Sequence, residues 1–207
     1  MQTRKRFMKG FTCIEFVMVA AIVGILVAIA IPKFNRFQTL AIQSEAKSNL
    51  KGLFKAQKTW FQANNSYSTQ IDPLGFSPPR GNRYAYRLGF GALQPRDTET
   101  LPVSTTPYEG VNTDTFTLGM AHNVPEAAFV RAAGTPNAGA PGVYERPSGK
   151  AHFLATATGN ADNELMGMDS WYVSSESAWV TPTPCSGPRA NVPGGKPFNT
   201  HDDMTCN

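Results

Sequence analysis

Glu15 is the residue whose chemistry most needs an explanation. Its carboxylate follows Phe11 by one helical turn and is itself followed by the uncharged run Phe16–Ile31, which stops at Pro32. A charge in such a run is costly unless it has a partner or a function. Two cysteines near the C-terminus, Cys185 and Cys206, have 20 residues between them and read as a pair, two free thiols being the alternative. A disulfide closing a loop of that length contributes about 3 kcal/mol by the chain-entropy estimate and needs an oxidising compartment. Cys13, inside the apolar run, reads as a small hydrophobe. His122, His152 and His201 are dispersed, and the sequence holds no Ser/His/Asp order, phosphate-cradling glycine loop or metal-spaced Cys/His set, so neither catalysis nor a cofactor is expected. Asp162, Asn163 and Glu164 offer oxygens to Ca²⁺, but their spacing does not match an EF-hand loop and a polar hairpin tip is the simpler reading. His201, Asp202 and Asp203, beside Cys206, read likewise as solvent-exposed loop residues.

The element that must position Glu15 is the apolar segment around it. From Phe11 to Pro32 the chain makes a helix of about 33 Å, matched to a hydrocarbon core of about 30 Å. Arg4, Lys5, Arg6 and Lys9 all precede it, so the positive-inside rule keeps the N-terminus cytoplasmic and sends everything after Pro32 outward, in agreement with a disulfide. A cleavable secretory signal, cut after Ala28-Ile29-Ala30, is the competing reading. Against it stand the charge of Glu15 and a helical pattern that continues beyond Pro32.

The net charge of +4 rests entirely on the first ten residues, which hold four basic side chains and no acid; beyond them 15 basic residues meet 15 acidic ones. No nucleic-acid partner is expected from that balance. The charges that remain are unevenly spread. Lys33 to Lys58 carries six basic residues against Glu45, while the chain after Gln62 carries 13 acidic and nine basic residues. Solvated faces explain this, as would contact between the basic stem and acidic head of neighbouring copies.

From Lys33 to Gln62 the helix becomes amphipathic, with Phe34, Phe37, Ala41, Ala46, Leu50, Leu53, Phe54 and Phe61 recurring at spacings of three and four. Asn64-Asn65-Ser66 is a stop signal. After Tyr67 come 15 of the 16 prolines and 15 of the 18 glycines, so the elements there are short. Arg83–Phe90, Thr115–Met120, His152–Thr158 and Trp171–Ser175 are the strand candidates, the last two forming a hairpin around Gly159–Glu164. Thr135–Pro147 reads as a surface loop, and the chain from Pro182 as irregular. The expected fold is α+β: a long N-terminal helical spine, half membrane or filament core and half amphipathic, packed on an antiparallel β-sheet head.

Lys9-Gly10-Phe11-Thr12-Cys13-Ile14-Glu15, the apolar helix with Gly24, and Ile31-Pro32 resemble the N-terminus of a type IV prepilin, most like a type IVa major pilin. The resemblance covers about Lys9 to Tyr67; Cys13 and Phe16 stand where the family usually has Leu. It implies a leader of residues 1–10, a membrane and filament-core helix over 11–32, an amphipathic helix over 33–62 and a head over 63–207. It also implies a prepilin peptidase cutting between Gly10 and Phe11 and methylating the new Phe11 amine. Gly10 suits that cut because a missing side chain lets the backbone approach a protease.

The amine so created is cationic near neutral pH, and Glu15 is the carboxylate available to pair with it when the apolar helices pack together. In the family the segment between the positions of Gly24 and Pro32 loses helicity in the filament. The expected function is the major subunit of a retractable type IV pilus serving adhesion and twitching motility. It would be held first in the inner membrane and then in an extracellular homo-oligomeric filament, with an assembly platform, ATPases and an outer-membrane secretin as partners. A minor pilin or a type II secretion pseudopilin, serving secretion or DNA uptake, is the alternative; a soluble secreted protein is a third.

Overall fold

The computed structural model describes residues 12–101, 107–120, 124, 129–161 and 168–205, without the side chains of Pro32 and Asn35. The chain divides into two units, residues 1–38 and 39–207, and one helix, α1 (Cys13–Asn64), contributes to both.

In the second unit α1 buries Thr39, Gln43, Ala46, Leu50, Leu53 and Gln57, a stripe at alternating spacings of four and three. The stripe expected from the sequence began earlier, at Phe34 and Phe37, but these rings are 61% and 69% exposed. Half of the observed stripe is polar, which apolar periodicity cannot show. Gln57 explains its own burial: its Nε2 donates to the Ser68 carbonyl and its Oε1 accepts from the Ser68 amide, at 2.5 and 3.1 Å. The chain leaving the helix is thereby folded back along it. The helix closes at Asn65, whose φ of 53° is left-handed and whose amide donates to the Phe61 carbonyl at 2.8 Å.

The head is a seven-stranded sheet with strands β1 (Tyr84–Arg87), β2 (Leu93–Gln94), β3 (Gly110–Val111), β4 (Gly142–Glu145), β5 (Ala151–Gly159), β6 (Asp169–Ser174) and, following a separate pair, β9 (Phe198–His201). Its order is β2-β3-β1-β5-β6-β9, all antiparallel except β2 with β3. The long β5 pairs with β1 through Thr156–Gly159 and with β4 through Ala151–Leu154. Strands β7 (Ala178–Val180) and β8 (Ala190–Val192) form the separate pair.

One face of the sheet meets α1. Tyr84, Tyr86, Phe153, Ala155, Ala157, Trp171 and Val173 pack there with Ala46, Leu50 and Leu53. Full burial of each large apolar side chain is worth about 1.5–3 kcal/mol. The opposite face carries a smaller core of Leu154, Tyr172, Ala132, Val180 and Val192, so the segment around 132 and the β7–β8 pair cover the sheet from outside.

Three expectations about the elements of the head need correction. Thr115–Leu118 is a short helix, α2, and no strand: the Asp114 carboxylate accepts from the Thr117 amide at 3.1 Å and caps its start, while Gly119 closes it. Gly142–Glu145, expected within a loop, is β4, because β5 is long enough to pair with it beyond the reach of β1. The chain after Pro182, expected to be irregular, supplies β8 and β9, and β9 joins the main sheet on β6.

A buried carboxylate ties the helix to the sheet. Asp169 is fully buried and receives donors from three strands and α1: Tyr84 Oη at 2.6 Å, Trp171 Nε1 at 2.5 Å, Asn199 Nδ2 at 2.8 Å and Gln43 Nε2 at 3.3 Å. Gln43 Nε2 also donates to Asp202 at 2.9 Å, and the Lys47 ammonium lies 4.9 Å from the centre of the Trp171 ring. Burial pushes the Asp169 carboxyl up to about 6, against the downward pull of its Tyr84, Trp171 and Asn199 donors.

Candidate functional site

The site lies on the first part of α1. Thr12 precedes the helix and Glu15 occupies its third position, a Thr-x-x-Glu pair. Their side chains form a reciprocal cap. The Thr12 amide and hydroxyl donate to Glu15 Oε2 at 3.1 and 3.0 Å, and the Glu15 amide donates back to Thr12 Oγ1 at 3.3 Å. Within its apolar run Glu15 reads as a charge awaiting a partner. The Thr-x-x-Glu spacing is the signal that it also helps to start its own helix, and it adds Thr12 to the residues of the site.

Both bonds from Thr12 end on Oε2. The carboxylate is therefore held in one orientation from one side, and both residues are exposed. The Thr12 carbonyl accepts the first helical bond, from Phe16 N at 3.2 Å.

Beyond Glu15 the helix offers apolar side chains in every direction. Each residue from Thr12 to Ile31 is exposed, including Ile14, Phe16, Val17, Met18, Ile22, Ile25, Leu26 and Ile29. This segment has a mean hydropathy of 2.8 over its best 18 residues, enough in length and composition to cross a membrane. Helix α1 continues through Gly24 and Pro32 without interruption. A side chain added at Gly24 would meet nothing within 4 Å, so packing inside the subunit does not require glycine there.

The other sequence candidates scatter. Gly10, Phe11, His122, Asp162, Asn163, Glu164 and Cys206 lie outside the described residues. Cys185 is disulfide-bonded and Cys13 is free and exposed. His152 and His201 contact Ser175 and Thr183 respectively, at 3.4 and 3.1 Å, and among the described residues no cluster of His, Cys, Asp and Glu could hold a metal ion. His201 lies on β9 and Asp203 is buried, so neither is the exposed loop residue expected.

Comparison with known proteins decides what such a helix is for. The type IV pilin PilA family model matches residues 37–168, more than half of the chain. The chain belongs to the type IV pilin family. It is 38% identical to the type IV major pilin protein PilA of Myxococcus xanthus, over 96% of the chain and 93% of that protein. Over 71 residues, 34% of the chain and 33% of the relative, it is 38% identical to the type IV major pilin protein PilE1 of Neisseria gonorrhoeae.

The pilin is thus a structural subunit of the major type, which assembles into a filament of its own copies and does no catalysis. Its exposed apolar helix fits both membrane anchoring and assembly into an extracellular pilus, since either setting would remove apolar surface from water.

Proposed function

We propose that the pilin is cut between Gly10 and Phe11 by a prepilin peptidase, methylated on the Phe11 amine, and drawn from the inner membrane into a retractable pilus for adhesion and twitching motility. The observation that carries this reading is the exposed carboxylate of Glu15 at the head of a helix whose apolar surface has no cover within the subunit. In the filament core the amine and the carboxylate are both removed from water, and a buried charge must be paired. With Thr12 engaging Oε2, Oε1 faces the incoming amine, from Phe11 of its own chain or of a neighbour.

Several further features fit the same assembly. Gly24, unneeded for packing inside the subunit, and Pro32, which brings no backbone donor, bracket a stretch of α1 able to loosen when the filament forms. Cys185 pairs with Cys206: the chain has three cysteines, one free and one bonded, and Thr205 donates to the Cys185 carbonyl at 2.6 Å. That bond would form outside the cytoplasm. The platform, ATPases and secretin supply force and passage, because this chain carries no nucleotide motif of its own.

N-terminal sequencing and intact mass of filaments sheared from cells test the reading. An N-methylated Phe11 as first residue of the dominant filament protein supports it; a chain starting at Met1 or Ile31 refutes it.

A further inference from the structure

In the head the two flanks of α1 differ in charge. Lys47, Lys51, Lys55 and Lys58 recur at spacings of four, four and three, all exposed. At about 100° per residue they stand about 80–160° round from the buried stripe, all on one side, with Glu45 and Asn49 about 80–120° round on the other. Contacts identify the two sides. The Lys47 ammonium lies over the Trp171 ring of β6. Glu45 instead accepts from the Arg83 amide, just before β1, at 3.2 Å, and Asn49 donates to Tyr86 Oη of β1 at 2.8 Å.

The acids occupy the far edge. From β1 the sheet runs outward through β3 to β2, and the exposed loop that follows β2 carries Asp97 and Glu99. Arg80 fastens this loop: its Nη2 donates to the Thr98 carbonyl at 2.9 Å while its Nε pairs with Asp114, also at 2.9 Å. Residues 79–82 in turn face Ala41, Glu45 and Asn49 across a cavity of about 320 Å³, on the Glu45 side of the helix. Lys51, Lys55, Asp97 and Glu99 have no ion-pair partner among the described residues. The lysines and the acids thus lie at opposite edges of the head, too far round for one subunit to join its own.

Copies that stack into an open helical array meet through two unlike patches, one on each side, and not through one patch matched to itself. Opposite charge on opposite edges is what such an array needs, and the lysines sit on the same α1 whose first part is exposed and apolar. Spacing agrees as well. Lys51 and Lys55 are about 6 Å apart along the helix, and Asp97 and Glu99 at most about 7 Å apart along the chain. We propose that the partner of this lysine flank is a second copy of the chain, Lys51 and Lys55 of one subunit pairing with Asp97 and Glu99 of the next. The contact steers neighbouring heads into one register. It rests on filament assembly alone and not on where the leader is cut.

Zero-length carbodiimide coupling, which joins an amine to a carboxylate in contact as an amide, tests the contact on sheared native filaments. Mass spectrometry should find the Lys51 or Lys55 peptide linked to the Asp97 or Glu99 peptide in filaments, and not in the monomer held in uncharged detergent micelles. Charge reversal is the second measurement. Lys51→Glu with Lys55→Glu, and separately Asp97→Lys with Glu99→Lys, should each lower the pilin in sheared filaments about tenfold, since two exposed pairs are lost and like charges face one another. The membrane pool should still be cut to the same N-terminus, and the head should keep its melting temperature. All four changes together should restore most of the filament yield. The proposal is overturned if the link forms in the monomer as well, if filaments link only at other sites, if either double variant assembles like the native chain, or if the four-residue variant shows no recovery.

Discussion

Tyr84 reaches over Gly159 to donate its hydroxyl to Asp169 at 2.6 Å, the three residues lying side by side on β1, β5 and β6. The glycine is what permits it, since a Cβ at Gly159 would lie 2.9 Å from the Tyr84 ring. Tyr84→Phe should leave the buried carboxylate short of a donor and destabilise the head by about 1–3 kcal/mol. Denaturant unfolding of the mature chain, compared with the native protein, measures this; an unchanged midpoint would remove Asp169 from its place as the joint between helix and sheet.

The same carboxylate gives the head a pH dependence of definite sign. Its ordinary value of 3.8 applies in the unfolded chain and about 6 in the folded one, so between those values the folded state binds more protons. The contribution to stability is fully present below pH 3.8 and is lost as pH rises through 6. It amounts to on the order of 3 kcal/mol. Relative to Asp169→Asn, the native chain should therefore gain stability when pH falls from about 7.5 to about 4.5. Equal slopes for the two chains over that window would contradict the raised value.

Glu15→Ala should still be inserted and processed but should fail to build filaments. The mature protein would accumulate in the membrane fraction while sheared surface preparations contain almost none. Thr12→Val, which removes the hydroxyl that orients the carboxylate and caps the helix, should reduce filament yield without abolishing it. Abundant normal filaments from the Glu15 variant would refute the pairing role.

Gly10→Val should block the cut and leave a membrane protein heavier by the first ten residues. Intact mass spectrometry of the membrane fraction decides it, and a normal mature mass would place the cleavage elsewhere.

Thiol labelling of the unfolded, unreduced chain should modify Cys13 alone, and labelling after reduction all three cysteines. Cys185→Ser should cost about 3 kcal/mol, and it should release Cys206 as a second labelled thiol. If Cys206 stays unlabelled in that variant, its partner lies elsewhere.

What the sequence discloses and what it hides follow from different physics. The apolar segment, its lone carboxylate and the end of α1 at Asn65 are legible because each depends on residues a few positions apart. The same holds for β5 and β6, whose alternation survives in one short stretch of chain. Polar residues that are buried by partners beyond the next turn are not legible locally: Gln43 and Asp169 look like surface until the helix meets the sheet, and Gln57 until the chain after the helix folds back at Ser68. Phe34 and Phe37 err in the opposite direction, since their apolar character serves a surface outside the subunit's own core. Strands β4 and β9 are short and pair with the edges of longer neighbours, β5 and β6, while β7 and β8 are three residues each and pair only with one another. At Thr115–Leu118, a β-branched and aromatic run with strand propensity yields to one cap from Asp114.

A helix that is greasy around its whole circumference, as α1 is from Phe16 to Ile31, gives an adjoining copy no favoured azimuth and little resistance to sliding. Such a rod behaves as a bearing. Indexing of one copy against the next, in rotation and in rise, must then come from its few hydrophilic atoms and from the heads. A filament built this way can be stretched or twisted considerably while its interior stays dry.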